Sequence, residues 1–114
     1  MAREFIIDGR RITDDGPAWV CAELGCNHGG SIETAERMIR IAATCGVDAV
    51  KLQKRENRTL YSATLYDQPY AHEQSYGPTY GAHREALEFH HEEFVRIAAC
   101  AAAQRVTWCA TAFD

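Results

Sequence analysis

Three short apolar runs, each delivering a polar residue near its end, set the pattern of this chain: Trp19-Val20-Cys21-Ala22-Glu23-Leu24, Val47-Asp48-Ala49-Val50-Lys51-Leu52-Gln53 and Val106-Thr107-Trp108-Cys109-Ala110-Thr111. Near-continuous apolar stretches of this length predict strands buried in a parallel sheet. Between them the period changes to that of a helix. Ser31 is placed to cap a helix whose apolar residues Ile32, Ala35, Met38, Ile39 and Ala42 share one face, with Glu33 at the positive end of its dipole and Gly46 at its end. A second helix is predicted from about His91 to Gln104, with Phe94, Val95, Ala98, Ala101 and Ala102 as its inner face. Ahead of the sheet, Phe5-Ile6-Ile7 and Arg10-Arg11-Ile12 flank Asp8-Gly9, the signature of a tight hairpin within residues 1–16. Asp14-Asp15-Gly16-Pro17 then breaks the chain. The order is hairpin, β, α, β, insertion, α, β, which predicts an α/β fold with parallel strands and right-handed crossovers.

The polar residues closing these strands carry the chemistry. An ammonium at the end of a buried strand is expensive to desolvate unless an anion meets it, so Lys51 is expected to hold something. Alternation puts Cys21 with Glu23 on one face, Ala49 with Lys51 and Gln53, and Thr107 with Cys109 and Thr111. If that face lines a barrel, Glu23, Lys51, Gln53 and Thr111 converge at its C-terminal mouth, where such folds keep their ligands. A carboxylate, an ammonium, an amide and a hydroxyl together suit an anionic or polyhydroxylated small molecule. The plainer alternative is a Glu23–Lys51 ion pair that serves packing only.

About 36 residues, 54–89, separate the second strand from its helix, where two to six is common. Five tyrosines, at 61, 66, 70, 76 and 80, with Gly77, Pro78 and Gly81, predict an aromatic, turn-rich loop on the rim that carries the polar strand ends; a merely decorative surface loop is the alternative. With 114 residues, a net charge of -4 and 46% hydrophobic residues, the composition suits one soluble domain. It offers no basic cluster for nucleic acid, and no apolar run approaches a membrane span of ~20 residues. A cytoplasmic protein is expected. The five cysteines form no C-x-x-C pair and read as small apolar fillers rather than a disulfide or zinc framework.

These residues also carry a resemblance. Ala22-Glu23-Leu24-Gly25-Cys26-Asn27-His28-Gly29-Gly30 is similar to the Ala-Glu-Ile-Gly-x-Asn-His-x-Gly opening of the sialic acid synthase family, the N-acetylneuraminate synthases and their legionaminic and pseudaminic acid relatives. Val50-Lys51-Leu52-Gln53 matches the family's Val-Lys-x-Gln strand, Lys54 to Tyr61 resembles the following loop of one branch, and the likeness continues through Ser75 to Glu85 in register. It implies a (β/α)8 barrel that condenses phosphoenolpyruvate with the open-chain aldehyde of an N-acetylmannosamine-type sugar and releases phosphate, with a divalent cation, Mn²⁺ or Mg²⁺, polarising the aldehyde. By the same resemblance Lys51 binds phosphoenolpyruvate, and Thr111 hydrogen-bonds its phosphate or carboxylate. Glu23 contacts the sugar and manages protons, and Gln53 holds sugar hydroxyls. Asn27 joins the substrate-binding set, with ordering of the first loop, shared with His28, as its other role. The family's metal histidines resemble nothing in these residues, so no metal ligand is assigned.

Two departures stand out. The family's third strand usually ends in Ser-Thr-Pro-Phe, whereas Ala110-Thr111-Ala112-Phe113 lacks one hydroxyl and the turn-fixing proline, which is expected to weaken phosphate binding. A complete barrel needs about 250 residues, so the expectation is a partial barrel, its first three parallel strands and two helices, inactive in isolation and prone to self-association into a homo-oligomer through its open edge. Two other readings remain: a class I aldolase using Lys51 as a Schiff-base nucleophile, and a non-catalytic self-assembling module.

Overall fold

A computed structural model of the protein describes residues 2–114. The chain opens with the hairpin: β1 (Glu4–Ile7) pairs antiparallel with β2 (Arg10–Thr13), Phe5 opposite Ile12. Asp8 and Gly9 sit at φ 49° and 78°, both in the left-handed region that a two-residue turn demands. Then come β3 (Cys21–Gly25), α1 (Ile32–Thr44), β4 (Ala49–Lys54), α2 (Asn57–Leu60), α3 (Ala63–Tyr66), α4 (Tyr80–Leu87), α5 (His91–Gln104) and β5 (Thr107–Ala112). The last three strands form one parallel sheet in the order β3-β4-β5. This is the arrangement of the first three strands and two helices of an α/β barrel, with α1 and α5 as the crossovers.

One face of the sheet is the core. Leu24, Val50 and Leu52 pack against Ala35, Ile39 and Ala42 of α1 and Ile97, Cys100 and Ala101 of α5, with Phe89 and Val106 filling the ends. Each large side chain fully buried there contributes about 1.5–3 kcal/mol. The start of α1 is fixed by Ser31, whose hydroxyl accepts from the Thr34 amide at 3.1 Å, and Gly46, at φ 80°, turns the chain out of the helix. The inner face of α5 differs from the sequence expectation. Ile97 and Cys100 are buried, whereas Val95 is half exposed and Ala102 faces solvent. Centring the face on Ile97 puts the largest aliphatic side chain of the helix against the sheet, and Val95, two positions earlier, rotates outward.

The insertion is not a turn-only excursion. It folds into α2, α3 and α4, tied together by Glu85, whose carboxylate accepts from Asn57 Nδ2 at 3.2 Å and from the Tyr66 hydroxyl at 3.0 Å. Gly81 lies flat against the Tyr66 ring, where a Cβ would come within 2.4 Å of it. The insertion is clipped to the sheet by Glu88, which accepts from Lys54 Nζ at 2.7 Å and from the Arg55 amide at 3.0 Å. At the opposite end the hairpin spans the strand starts. Arg10 pairs with Asp48, just ahead of β4, and Asp8 accepts from the Thr107 hydroxyl at 2.8 Å. Asp48 precedes β4 rather than lying within it, and its carboxylate caps the Val20 amide at 2.7 Å.

Candidate active site at the strand ends

The face of the sheet away from the helices carries the alternating set expected from the sequence. Cys21, Ala49 and Thr107 stand level across the three strands, then Glu23, Lys51 and Cys109, then Gln53 opposite Thr111. Lys51 Nζ and the Glu23 carboxylate meet at 2.9 Å, with 40% and 47% of their side chains exposed. A pair this open contributes little to stability, so packing alone is a poor account of it. Glu23's hydrogen bond and negative charge hold the Lys51 ammonium above its ordinary range. Lys51 is therefore a firm cation at neutral pH and a poor amine nucleophile, which weighs against an imine mechanism.

A bulge between Glu23 and Gly25 ends the β3 pairing and turns the chain into the first loop. Gly25 sits at φ 56°, and the point where its Cβ would stand lies 3.6 Å from Glu23 Oε1, 3.7 Å from Gln53 Nε2 and 3.8 Å from Asn27 Nδ2. Three polar groups thus converge around Gly25, where the left-handed backbone favours glycine. Asn27 is also the loop's own brace, donating to the Leu24 carbonyl at 3.1 Å. His28 is buried, stacks on Phe89 with ring centroids 4.0 Å apart, and accepts from the Gly30 amide at 3.1 Å. Burial pushes its imidazole below the ordinary value, so it is a structural neutral ring. Thr111 is exposed on the last pairing step but one of β5, and Phe113, two residues on, folds back beneath the Arg55 guanidinium, whose central carbon lies 4.1 Å from the ring centroid.

Beside this rim the insertion opens a cleft of about 610 Å³, lined by Cys26 and Asn27 on the first-loop side and by Tyr70, His72, Tyr76 and His83 among others on the insertion side. Cys26 joins the two regions, because its thiol donates to Gln53 Oε1 at 3.4 Å. Among the described residues no group of three or more His, Cys, Asp or Glu side chains is arranged to hold a metal ion. The divalent cation implied by the sequence resemblance therefore finds no donor set here. No described helix is long and apolar enough to cross a membrane.

Residues 38–114 match the NeuB family. The chain belongs to the NeuB family. Among relatives of this NeuB-family chain, N-acetylneuraminate-9-phosphate synthase of Mus musculus is 36% identical over 93% of the chain and 30% of its own length. The protein of that name in Homo sapiens is 40% identical over 75% of the chain and 24% of its own. A solved N-acetylneuraminic acid (sialic acid) synthetase from Leptospira borgpetersenii serovar Hardjo-bovis superposes on the whole chain with a TM-score of 0.75 at 26% identity, using 35% of that structure. The chain thus spans about a third or less of the relatives it matches.

Sequence reading located Glu23, Lys51, Gln53, Asn27 and Thr111 on this NeuB-family rim but passed over Cys26 and Arg55. Arg55 was within reach of the same argument, since alternation through Ala49, Lys51 and Gln53 arrives at position 55. Cys26 gave no comparable signal. Its importance comes from the bulge at Leu24, which swings the first loop over Gln53.

Proposed function

We propose that the chain forms the first part of a synthase barrel that joins phosphoenolpyruvate to the open-chain aldehyde of an N-acetylated amino sugar, making a nonulosonic acid and releasing phosphate. The supporting observation is the half-exposed, protonated Lys51 midway along β4, paired with Glu23 on the face away from the helices. Lys51 would hold the phosphate or carboxylate of phosphoenolpyruvate, with Thr111, across the β4–β5 pairing, as a second donor. The sugar would lie over Gly25, with Gln53 and Asn27 on its hydroxyls and Glu23 beside the reacting carbonyl. C3 of the enol attacks the aldehyde carbon, the aldehyde oxygen takes a proton, water adds at C2, and the phosphate leaves with the C2–O bond. Glu23 is placed to move protons in these steps. Relatives named as N-acetylneuraminate-9-phosphate synthases, and one as a sialic acid synthetase, support this reaction class. The 114-residue chain by itself is expected to be inactive.

The test is Lys51→Ala in a polypeptide that carries this segment at the length of its relatives, with phosphate release followed at varied phosphoenolpyruvate and sugar. We expect on the order of a hundredfold loss in kcat/KM for phosphoenolpyruvate, as for removal of one fixed charge-stabilising donor, and little change for the sugar. Lys51→Arg should rescue poorly, because a planar fork does not replace a compact ammonium. Near-normal kinetics, or a defect confined to the sugar, would take Lys51 out of the anion site. Borohydride reduction in the presence of pyruvate should leave Lys51 unmodified; a trapped adduct would favour the aldolase reading instead.

A further inference from the structure

Arg55 keeps only 8% of its surface exposed, and among the described residues no carboxylate pairs with its guanidinium. Glu88 is committed to the Lys54 ammonium and to the Arg55 backbone amide. The backbone is held from the other side as well, since Lys54 Nζ donates to the Arg55 carbonyl at 2.6 Å. With Phe113 covering one face of the guanidinium, Nη1 is aimed at Cys26 and donates to its Sγ at 3.5 Å. A guanidinium has only protons to give. The sulfur therefore accepts from Arg55, and its own single proton is left for a second partner. That partner is Gln53, whose Oε1 accepts from the thiol at 3.4 Å.

The direction of this relay decides which end of the Gln53 amide the candidate site meets. A side-chain amide accepts at its oxygen and donates at its nitrogen, and a half-turn of the amide exchanges the two. With Oε1 turned to the thiol, Nε2 stands 3.7 Å from the point a Gly25 Cβ would occupy, across from Glu23 Oε1 at 3.6 Å. We infer that Cys26 is a positioning residue: aligned by Arg55, it fixes the Gln53 amide with its oxygen inward and its nitrogen toward Gly25, so that this subsite offers a donor to whatever binds there. The inference rests on the reading of Gln53 given above only in naming the group that accepts, an oxygen of the sugar. The same relay explains why the buried guanidinium faces a thiol. A carboxylate beside Arg55 would make the stronger bond but has no proton to pass on. It would draw Nε2 inward and turn the amide oxygen to the site. The thiol is a weaker partner to both neighbours, yet it has the polarity that the amide needs.

The test sets the two polarities against each other. In the 114-residue chain, NMR of the Gln53 side-chain amide and its hydrogen exchange report which way it faces. The wild type and Cys26→Ser, whose hydroxyl still accepts and donates, should leave both Nε2 protons in fast exchange with water. Cys26→Asp should move one of them downfield and slow its exchange, while the melting temperature holds or rises because Arg55 gains an anion. Kinetics follow in a polypeptide at the length of its relatives, with N-acetylmannosamine or its 6-phosphate as the sugar. There Cys26→Asp should raise the sugar's KM at least tenfold and leave that of phosphoenolpyruvate unchanged. Cys26→Ala, which frees the amide to face either way, should cost about twofold, the halved population of the competent orientation, and Cys26→Ser should recover it. A role in packing alone would instead lower stability and sugar binding together. Slowed exchange already in the wild type, a Gln53 amide indifferent to Cys26→Asp, or Cys26→Ser as impaired as Cys26→Asp would overturn the inference. Should Cys26→Asp fail to fold, the wild-type exchange and the comparison of Cys26→Ala with Cys26→Ser still decide it. An amide that turns as expected while the sugar's KM stays put would uphold the relay and take Gln53 away from the sugar.

Discussion

Glu88 is the clip between sheet and insertion, and its removal gives the sharpest stability test. Its side chain is 5% exposed, and it accepts from the Lys54 ammonium at 2.7 Å and from the Arg55 amide at 3.0 Å. Glu88→Ala deletes both bonds. Lys54 is 37% exposed and can rehydrate, so its share falls toward that of a surface pair, about 0.5 kcal/mol. The Arg55 amide has no such escape, and an unsatisfied buried donor costs about 1–3 kcal/mol. Together the loss is about 2 kcal/mol, or roughly 10 °C in Tm for a domain of this size. Glu88→Gln keeps an acceptor for the amide and gives up only the charge, so it should cost less than half as much. The assay is thermal unfolding by circular dichroism, with hydrogen exchange at the Arg55 amide as the local probe. If the two variants lose the same stability, or Glu88→Ala loses under 0.5 kcal/mol, the clip is not what holds the insertion to β4.

Gly30→Ala would set a Cβ 2.1 Å from the Ala86 carbonyl oxygen at φ 79°, whereas Gly9→Ala meets a similar φ of 78° with nothing within 4 Å. Gly9→Ala should cost about 1–2 kcal/mol and Gly30→Ala at least about 3 kcal/mol; similar urea midpoints would mean α4 yields freely. His28 has a folded-state pKa depressed by burial below 6.5, so the unfolded chain takes up its proton first and stability drops as pH falls below about 6.5 toward the folded value. His28→Gln should flatten that slope between pH 7.5 and pH 5, and an unchanged slope would assign it to other groups. Sedimentation of the 114-residue chain should show a dimer or larger species, since β3 and β5 are free edges of the sheet and Cys21, Glu23, Cys109 and Thr111 on its outer face are exposed; a sharp monomer would mean that these surfaces tolerate solvent.

The hairpin, the cap at Ser31 and the three strands were legible because each depends on local chemistry: two left-handed turn residues, one hydroxyl, and apolar runs of strand length. The helices of the insertion were not. The four residues each of α2 and α3 are too few for a hydrophobic period and the eight of α4 span barely two turns, although Ser62 and Thr79 hold the cap positions of α3 and α4, accepting from Leu65 at 3.3 Å and Ala82 at 3.1 Å. The shared face of Glu23, Lys51, Gln53 and Thr111 was legible because alternation held there, and the placement of the first loop was not, because alternation broke. The bulge beyond Glu23 brings Cys26 back over Gln53, a long-range outcome that no periodicity in the residues announces.

The hairpin that bridges the starts of β4 and β5 also gives the sheet a direction. With Asp8 and Arg10 pinned to Thr107 and Asp48, the strand starts are braced by the hairpin, and Glu23, Lys51 and Gln53 lie further along the strands, toward the first loop and the insertion. A fluorophore on Asp15, which is exposed just beyond β2, would therefore ride on the braced end and report unfolding without touching the candidate site.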